Sequence, residues 1–472
     1  AGAMHETVSL HCDTAMDLLT EDGTGELKEV QTLEPGETLQ IAADSTLFET
    51  ANRIYARPQA LSAKTTVDSI LRNGKTPVYP GNFEIEKTGE GFLLINELAL
   101  EDYLRFVVPS EMPASYPAEA LKAQAVCART YAYMHMLHAG LQNYGAHVDD
   151  SAAFQVYNNI AEASETSEAV YETKGQMLLS GGTPVTAYFY STSCGYGTDL
   201  TAWNLTYGDE MAATGGYLRA RNIAKGQMLS DTQNPDAHSS DAQESAEGSK
   251  LAEEDSFATF IKTADADSFE QEDTYYRWRY DTALDTELLL ANLQVRYEKS
   301  PGNIRRKKGN GYVDEKPEKL GMVTGLTAVK RTTGGVMTEL LIEGTKDSYL
   351  VCGEQNIRYV LAGENTEIAL SADYSKKGTI NGMLPSSFFV IEPVFEESDV
   401  VVPEGKAESE TKRDSKRKEE KLVVVSYRLY GGGFGHGIGM SQNAARRMAQ
   451  AGYDYKQILQ FFYECSIEGV NE

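Results

Sequence analysis

The residue best placed to do chemistry in this chain is a lone carboxylate among apolar neighbours. It is Glu111, within Val107-Val108-Pro109-Ser110-Glu111-Met112-Pro113. Apolar surroundings keep water away and favour the protonated carboxyl. A glutamic acid still protonated near neutral pH is what proton donation to a leaving oxygen requires. The plainer alternative is an acid that precedes a helix and is favoured by its dipole. Ser115-Tyr116-Pro117-Ala118-Glu119 supplies such a helix start, with proline where a first turn tolerates it.

Other polar groups could serve that carboxyl. Lys122 and Arg129 share one helical stripe with Val126 and Tyr133, and would hold a carboxylate or orient sugar hydroxyls, or simply form a solvated face. Ser191, Thr192 and Ser193, followed by Gly195 and Tyr196, make a hydroxyl platform or a turn. Gly-x-Ser-x-Gly is absent there, so no nucleophile elbow is implied. His436 lies inside the glycine cluster 431–439, free to reach a carboxylate or a sugar, or to bond a backbone carbonyl. That cluster carries neither a Gly-Lys-Ser/Thr ending nor Gly-x-Gly-x-x-Gly, which argues against nucleotide binding.

Ser110-Glu111-Met112-Pro113, Leu121-Lys122-Ala123-Gln124-Ala125-Val126 and Ala128-Arg129-Thr130-Tyr131 together resemble the stage II sporulation protein D family, which includes the amidase enhancer LytB. Further blocks follow in the family's order: Tyr190-Ser191-Thr192-Ser193-Cys194-Gly195, then Tyr217-Leu218-Arg219, then Leu384-Pro385-Ser386-Ser387-Phe388-Phe389, then Gly433 to Gln442. The resemblance spans roughly residues 60 to 470. It implies a lytic transglycosylase that cuts the MurNAc–GlcNAc bond of peptidoglycan, with Glu111 as the acid. Lys122, Arg129, Tyr157 and His436 would orient or balance that acid, and Ser191, Thr192, Ser193, Tyr196 and Gln442 would contact glycan. Glycan strands are the implied partner, with a cell-wall amidase and membrane sporulation proteins as further ones. The expected location is extracytoplasmic, anchored by an N-terminal segment absent from this sequence.

Two alternatives accompany this reading. A hydrolase would need a second carboxylate, for which Asp149 or Asp150 is the nearest candidate. A non-catalytic enhancer would bind glycan and stimulate an amidase. Some relatives carry a Cys/His zinc cluster before Gln155-Val156-Tyr157, but the thiols are replaced here by residues such as Asp149 and Phe154. His135, His138 and His147 alone make a poor ligand set, so no metal or other cofactor is expected.

The elements that must position these groups read as α+β, with mostly antiparallel sheets around a central helix and solvated insertions. Residues 5–105 give short strands, Thr38–Ile41 and Gly91–Asn96 the clearest. The helix from Ala118 has an apolar stripe of Leu121, Ala125, Ala128, Ala132 and Met136. Its alanines imply close packing, and Gly140 closes it. Val185–Tyr190, Tyr275–Tyr280 and Leu422–Tyr430 read as strands. Ser441 is a helix cap, Gly452 a stop, and Tyr455, Ile458, Leu459 and Phe462 mark a last helix. A strand-rich region 1–60 and a catalytic domain 61–472 are expected, with insertions near 223–272, 299–319 and 400–421. The first is acidic and polar, too poor in apolar residues to order itself, with Phe257–Ile261 as a short docking helix. The basic runs Arg305–Lys308 and Lys412–Lys418 read as solvated loops.

The net charge of −27 over 472 residues argues against nucleic acid, whose phosphates demand clustered cations. The cysteines (12, 127, 194, 352 and 465) form no Cys-x-x-Cys pair and no evident disulfide framework.

Overall fold

The computed structural model describes residues 4–22, 24–49, 51–72, 74–138, 141–151, 154–203, 216–225, 250–264, 267–399 and 420–470; of 397–399 and 420–423 it describes the backbone alone. The class is α+β, and every sheet of three or more strands is antiparallel. Two compact units emerge: Ala1–Ala187 with Gly452–Ile458 and Cys465–Glu472, and Tyr188–Ala451 with Leu459–Glu464.

In the first unit a five-stranded sheet runs in the order 27–33, 16–21, 53–58, 82–87, 92–97, and a four-stranded one in the order 38–41, 8–12, 65–67, 78–79. Alternating residues such as Val8, Leu10 and Cys12, or Met16 and Leu18, enter one core. Leu104, Phe106, Val107 and Val108 of helix α1 (Leu100–Glu111) enter the same core. Residues on both sides of position 60 therefore share their buried surface.

Local sequence sets both ends of α1. Glu101 and Asp102 complement its N-terminal dipole. At the other end, Pro113 pushes the residue before it out of the helical region. Met112 is accordingly extended, at φ −136° and ψ 129°, and its N–H makes the last helical bond, to Val108 at 2.9 Å. The helix stops at Glu111. Glu111 thus ends α1 and also precedes the next helix, as the sequence suggested.

Helix α2 (Ala118–His138) starts on Pro117, whose carbonyl accepts from Ala120 and Leu121. Apart from half-buried Lys122, every residue from Ala120 to Ala132 is buried, so the helix is enclosed all round. Alanines at 120, 123, 125 and 128 permit that close approach. Gly140 lies outside the described residues. Helix α3 (Ser164–Glu172) packs on α1 and α2, and the strand Gln176–Ser180 pairs with the C-terminal strand Ser466–Gly469.

The second unit holds two five-stranded sheets. One has the order 376–380, 366–370, 278–282, 420–431, 389–399; the other 311–313, 304–308, 349–352, 337–344, 323–331. Helices α4 (Glu254–Lys262), α5 (Thr286–Lys299), α6 (Glu354–Val360) and α7 (Gln442–Gln450) accompany them. Helix α8 (Tyr455–Phe462) follows in the chain. Trp278, Leu293, Met337, Tyr349, Phe389 and Leu429 lie in one core.

Two expectations are corrected here. Arg305–Lys308 is part of a strand, Ile304–Lys308, in which Arg306 is met by Glu315 and Asp347, and Lys307 by Glu343. The acidic stretch after 223 has the docking helix expected at Phe257–Ile261, and its burial reaches beyond that helix. Its part from 226 to 249 lies outside the described residues, but Leu251, Phe257, Ile261, Phe269 and Glu270 are all buried. The basic run 412–418 also lies outside them. Among the described residues no helix is long and apolar enough to cross a membrane.

Candidate functional site

Glu111 is half-buried at the C-terminal end of α1, where helix carbonyls gather and an anion needs donors. The N–H of Val156 donates to its Oε1 at 2.7 Å. Val107, Val108 and Met112 beside it are fully buried, whereas Pro113 is exposed, so the apolar setting is open on one side. Burial first, then the charge of Glu111, then Tyr131 and Asp149 push the Tyr103 phenol well above its ordinary range. Tyr103 therefore remains a donor, and its hydroxyl reaches Gln155 Oε1 at 3.4 Å.

The two cations expected at Glu111 have other partners. Lys122 sits between Glu119, at 2.8 Å, and Glu172, at 2.7 Å, and these carboxylates hold its ammonium well above the ordinary value. Arg129 is wholly buried and binds Glu101 through Nε at 2.6 Å and Nη2 at 2.8 Å. It also donates to the carbonyls of Val170 (3.1 Å) and Gln176 (3.3 Å), so it fastens α2 to α1 and α3. Such a guanidinium has no edge left for a sugar.

Tyr157 is buried and stacks between Tyr79 and Tyr103 at 5.9 and 5.8 Å. It supports the site from within and does not face solvent. Asp150 pairs with Arg72. Asp149 accepts from the N–H (2.8 Å) and hydroxyl (2.6 Å) of Ser151. His135 is wedged between Tyr131 and Phe154 at 4.5 and 5.0 Å, and burial followed by His138 lowers its pKa. Among the described residues no three His, Cys, Asp or Glu side chains converge on a point where a metal could sit.

In the second unit, three motifs far apart in sequence meet. Thr192 and Phe434 exchange both backbone hydrogen bonds, at 3.1 and 2.8 Å, and Tyr190 pairs with Ser441 in a parallel register. The 384–389 block braces this loop: Ser386 donates to the Gly432 carbonyl at 2.7 Å, and the N–H of Gly435 donates to Pro385 at 2.9 Å. Glycine is required at 439, where φ is +76° and any Cβ would run into the Tyr188 carbonyl.

Thr192 and Ser193 are buried at 2% and 1% exposure, so their hydroxyls make internal bonds and no open platform. Thr192 Oγ1 accepts from Asn443 at 2.8 Å. Tyr196 is buried as well; Ser191 and Gln442 are partly exposed. His436 is tied at both nitrogens: Nε2 meets the Phe189 carbonyl at 3.0 Å, and Nδ1 meets the N–H of Ile438 at 3.1 Å. A carbonyl only accepts and an amide N–H only donates, which fixes one neutral tautomer. Burial, then Arg358, pushes the ring down to about 3. Of the two readings of this histidine, the backbone-bonded one matches the geometry.

One residue was missed by sequence reasoning. Glu270, fully buried, takes the N–H of Ser193 at 2.9 Å, the hydroxyl of Ser193 and the hydroxyl of Ser441 at 2.7 Å. Burial raises its carboxyl to about 7 against those lowering bonds. The signal, an acid directly after Phe269 in an otherwise polar run, was submerged in the surrounding acids.

Comparison with known proteins agrees with these motifs. Residues 88–179 match the family described as SpoIID, stage II sporulation protein. The chain is 26% identical over 412 residues, 87% of its length, to the amidase enhancer of Bacillus subtilis, covering 46% of that protein. It is 37% identical over 123 residues, 23% of its length, to stage II sporulation protein D of B. subtilis, covering 36% of it. An uncharacterised protein of Brachyspira hyodysenteriae is 36% identical over 135 residues, 28% of this chain and 36% of that protein. The chain thus spans less than half the length of each of these relatives. Glu111 in its Ser-Glu-Met-Pro setting lies inside the matched segment, and the chain is similar there to stage II sporulation protein D and, over most of its length, to the amidase enhancer.

Proposed function

We propose that the chain is a peptidoglycan lytic transglycosylase with Glu111 as its acid and base. The observation that carries this reading is a half-exposed carboxyl fixed through one oxygen by the Val156 N–H, at the end of a helix whose neighbouring valines are buried. Glu111 would give its proton to the glycosidic oxygen as the bond to MurNAc C1 breaks and the GlcNAc side leaves. The muramyl 6-hydroxyl would then attack C1 and pass its proton to the Glu111 carboxylate, closing a 1,6-anhydro ring. No water is consumed and no second carboxylate is needed, unlike ordinary glycosidases. Glycan strands are then the substrate, the place of action is outside the cytoplasmic membrane, and membrane sporulation proteins are the further partners.

Digestion of purified glycan strands in ¹⁸O-labelled water tests the reaction type. Unlabelled anhydro ends are expected. Labelled reducing ends would turn the reading into hydrolysis, with Asp149, which shares the surroundings of Tyr103 with Glu111, as the second carboxylate.

A second reading is favoured by the match that extends over 87% of the chain, to a protein named amidase enhancer. Here the chain would bind glycan and stimulate a cell-wall amidase without cutting. Absence of glycan products, together with faster release of stem peptides by an added amidase, would select it.

A further inference from the structure

Residues 154–160, which hold the partner of Glu111, have no regular secondary structure. A backbone donor in such a segment is only as well placed as its attachments. These attachments recur at successive residues. Gln155 is wholly buried; its Nε2 donates to the Ala128 carbonyl of α2 at 3.2 Å, and its Oε1 accepts from Tyr103 of α1 at 3.4 Å. Val156 donates its N–H to Glu111. Tyr157 is locked among Tyr79, Tyr103 and Phe106. Asn158 donates its N–H to Ser110 Oγ at 3.1 Å, one residue from Glu111. Asn159 exchanges bonds with both backbone groups of Val78, at 3.0 and 2.7 Å.

The alternation has a consequence. Gln155 and Tyr157 turn inward and grip the helices, while the N–H groups of Val156 and Asn158 turn to the end of α1. Gln155 is the one side chain of this strap seen to bond both α1 and α2. We propose that Gln155 is the positioning residue of Glu111: by bridging Tyr103 and the Ala128 carbonyl it sets the Val156 N–H against the carboxyl and fixes its orientation. It does not touch substrate and acts only through that amide. As a role in catalysis the inference rests on the reading of Glu111 as the acid; as a structural coupling it stands apart from that reading.

Gln155→Met keeps the volume and removes both bonds. Tyr103→Phe keeps the aromatic stack and removes one. The readout is the titration of the Glu111 carboxyl carbon in ¹³C-Glu-labelled protein, assigned by the signal that vanishes in Glu111→Gln. A carboxylate that loses a donor titrates higher, so the midpoint should move up by about one unit in Gln155→Met and by less in Tyr103→Phe. On glycan strands, kcat should fall about tenfold with KM changed less than about twofold. An unmoved midpoint in the folded variants overturns the proposal, and Tyr103→Phe carries the test if Gln155→Met does not fold. Survival of glycan cleavage in Glu111→Gln would instead remove the acid assignment, leaving the titration to decide the coupling by itself.

Discussion

Ser441 donates its hydroxyl hydrogen to Glu270 at 2.7 Å, and with the same oxygen caps α7 by accepting the Ala444 N–H at 3.4 Å. One hydroxyl thus ties a buried acid to the start of a helix, and Glu270 ties both to Ser193. This junction holds the 190–195 and 433–442 segments in register, and it rests on a carboxyl that burial keeps protonated to about 7.

That value makes stability depend on pH. Below the ordinary 4.5 the acid is protonated folded and unfolded alike; above it the unfolded chain ionises while the folded chain keeps its proton until about pH 7. The contribution of Glu270 to stability therefore falls as pH rises from 4.5 to 7, by about 3.5 kcal/mol for about 2.5 units at ~1.4 kcal/mol each, opposite in sign to that of buried His436. Glu270→Gln, neutral throughout, should flatten that slope. Urea unfolding midpoints at pH 5 and pH 7.5 measure it, and equal slopes in both proteins would refute the assignment.

Glu111→Gln should keep the fold and glycan binding while turnover drops about 10²- to 10⁴-fold, because an amide holds the pose but donates no acidic proton. Kinetics on glycan strands alongside a pull-down separate the two. A loss below about tenfold would rule Glu111 out as the acid.

The parts of this site that were legible in the sequence are those encoded locally. Met112 before Pro113 dictates where α1 ends, the alanines of α2 announce its enclosure, and Ser441 caps α7 as its type suggests. What stayed hidden depends on distant partners. Arg129 meets Glu101, 28 positions away, and the carbonyls of Val170 and Gln176, 41 and 47 away; Ser193 and Ser441 lie 77 and 171 positions from Glu270. No stripe or spacing reveals such pairs, so cations on one helical face suggested a substrate contact where the fold uses them as internal ties. Phe257 and Ile261, at i and i+4, carried a helical signal, and the expected docking helix is there as Glu254–Lys262.

Phe257→Ala tests that corrected region. Phe257 is 0% exposed and lies under the Arg331 guanidinium, 4.2 Å from ring centre to Cζ. Its truncation should cost about 3–5 kcal/mol, read as a lower denaturant midpoint. A cost under about 1 kcal/mol would restore the view of 250–264 as a loosely docked insertion.

Chelation should leave glycan cleavage unchanged. By the family resemblance thiols would stand where this chain has residues such as Asp149 and Phe154; Asp149 is engaged with Ser151, and His138 Nδ1 meets the Met134 carbonyl at 2.9 Å. Loss of activity in EDTA, restored by zinc, would show a ligand set that these bonds conceal.

Arg129→Met separates a structural tie from a substrate contact. Removing the guanidinium leaves Glu101, whose side chain is only 17% exposed, without its cation, and leaves the Val170 and Gln176 carbonyls without a donor. Breaking a buried pair from one side costs about 3–5 kcal/mol, so the thermal midpoint should fall sharply. The fraction that remains folded should bind glycan as the parent does, because a residue at 0% exposure offers a sugar nothing. Titration of glycan fragments well below the unfolding transition reads this directly. A weakened affinity with an unchanged midpoint would return Arg129 to the binding surface, and a double variant with Glu101→Leu, which removes the stranded charge, should recover part of the stability and leave the binding unchanged.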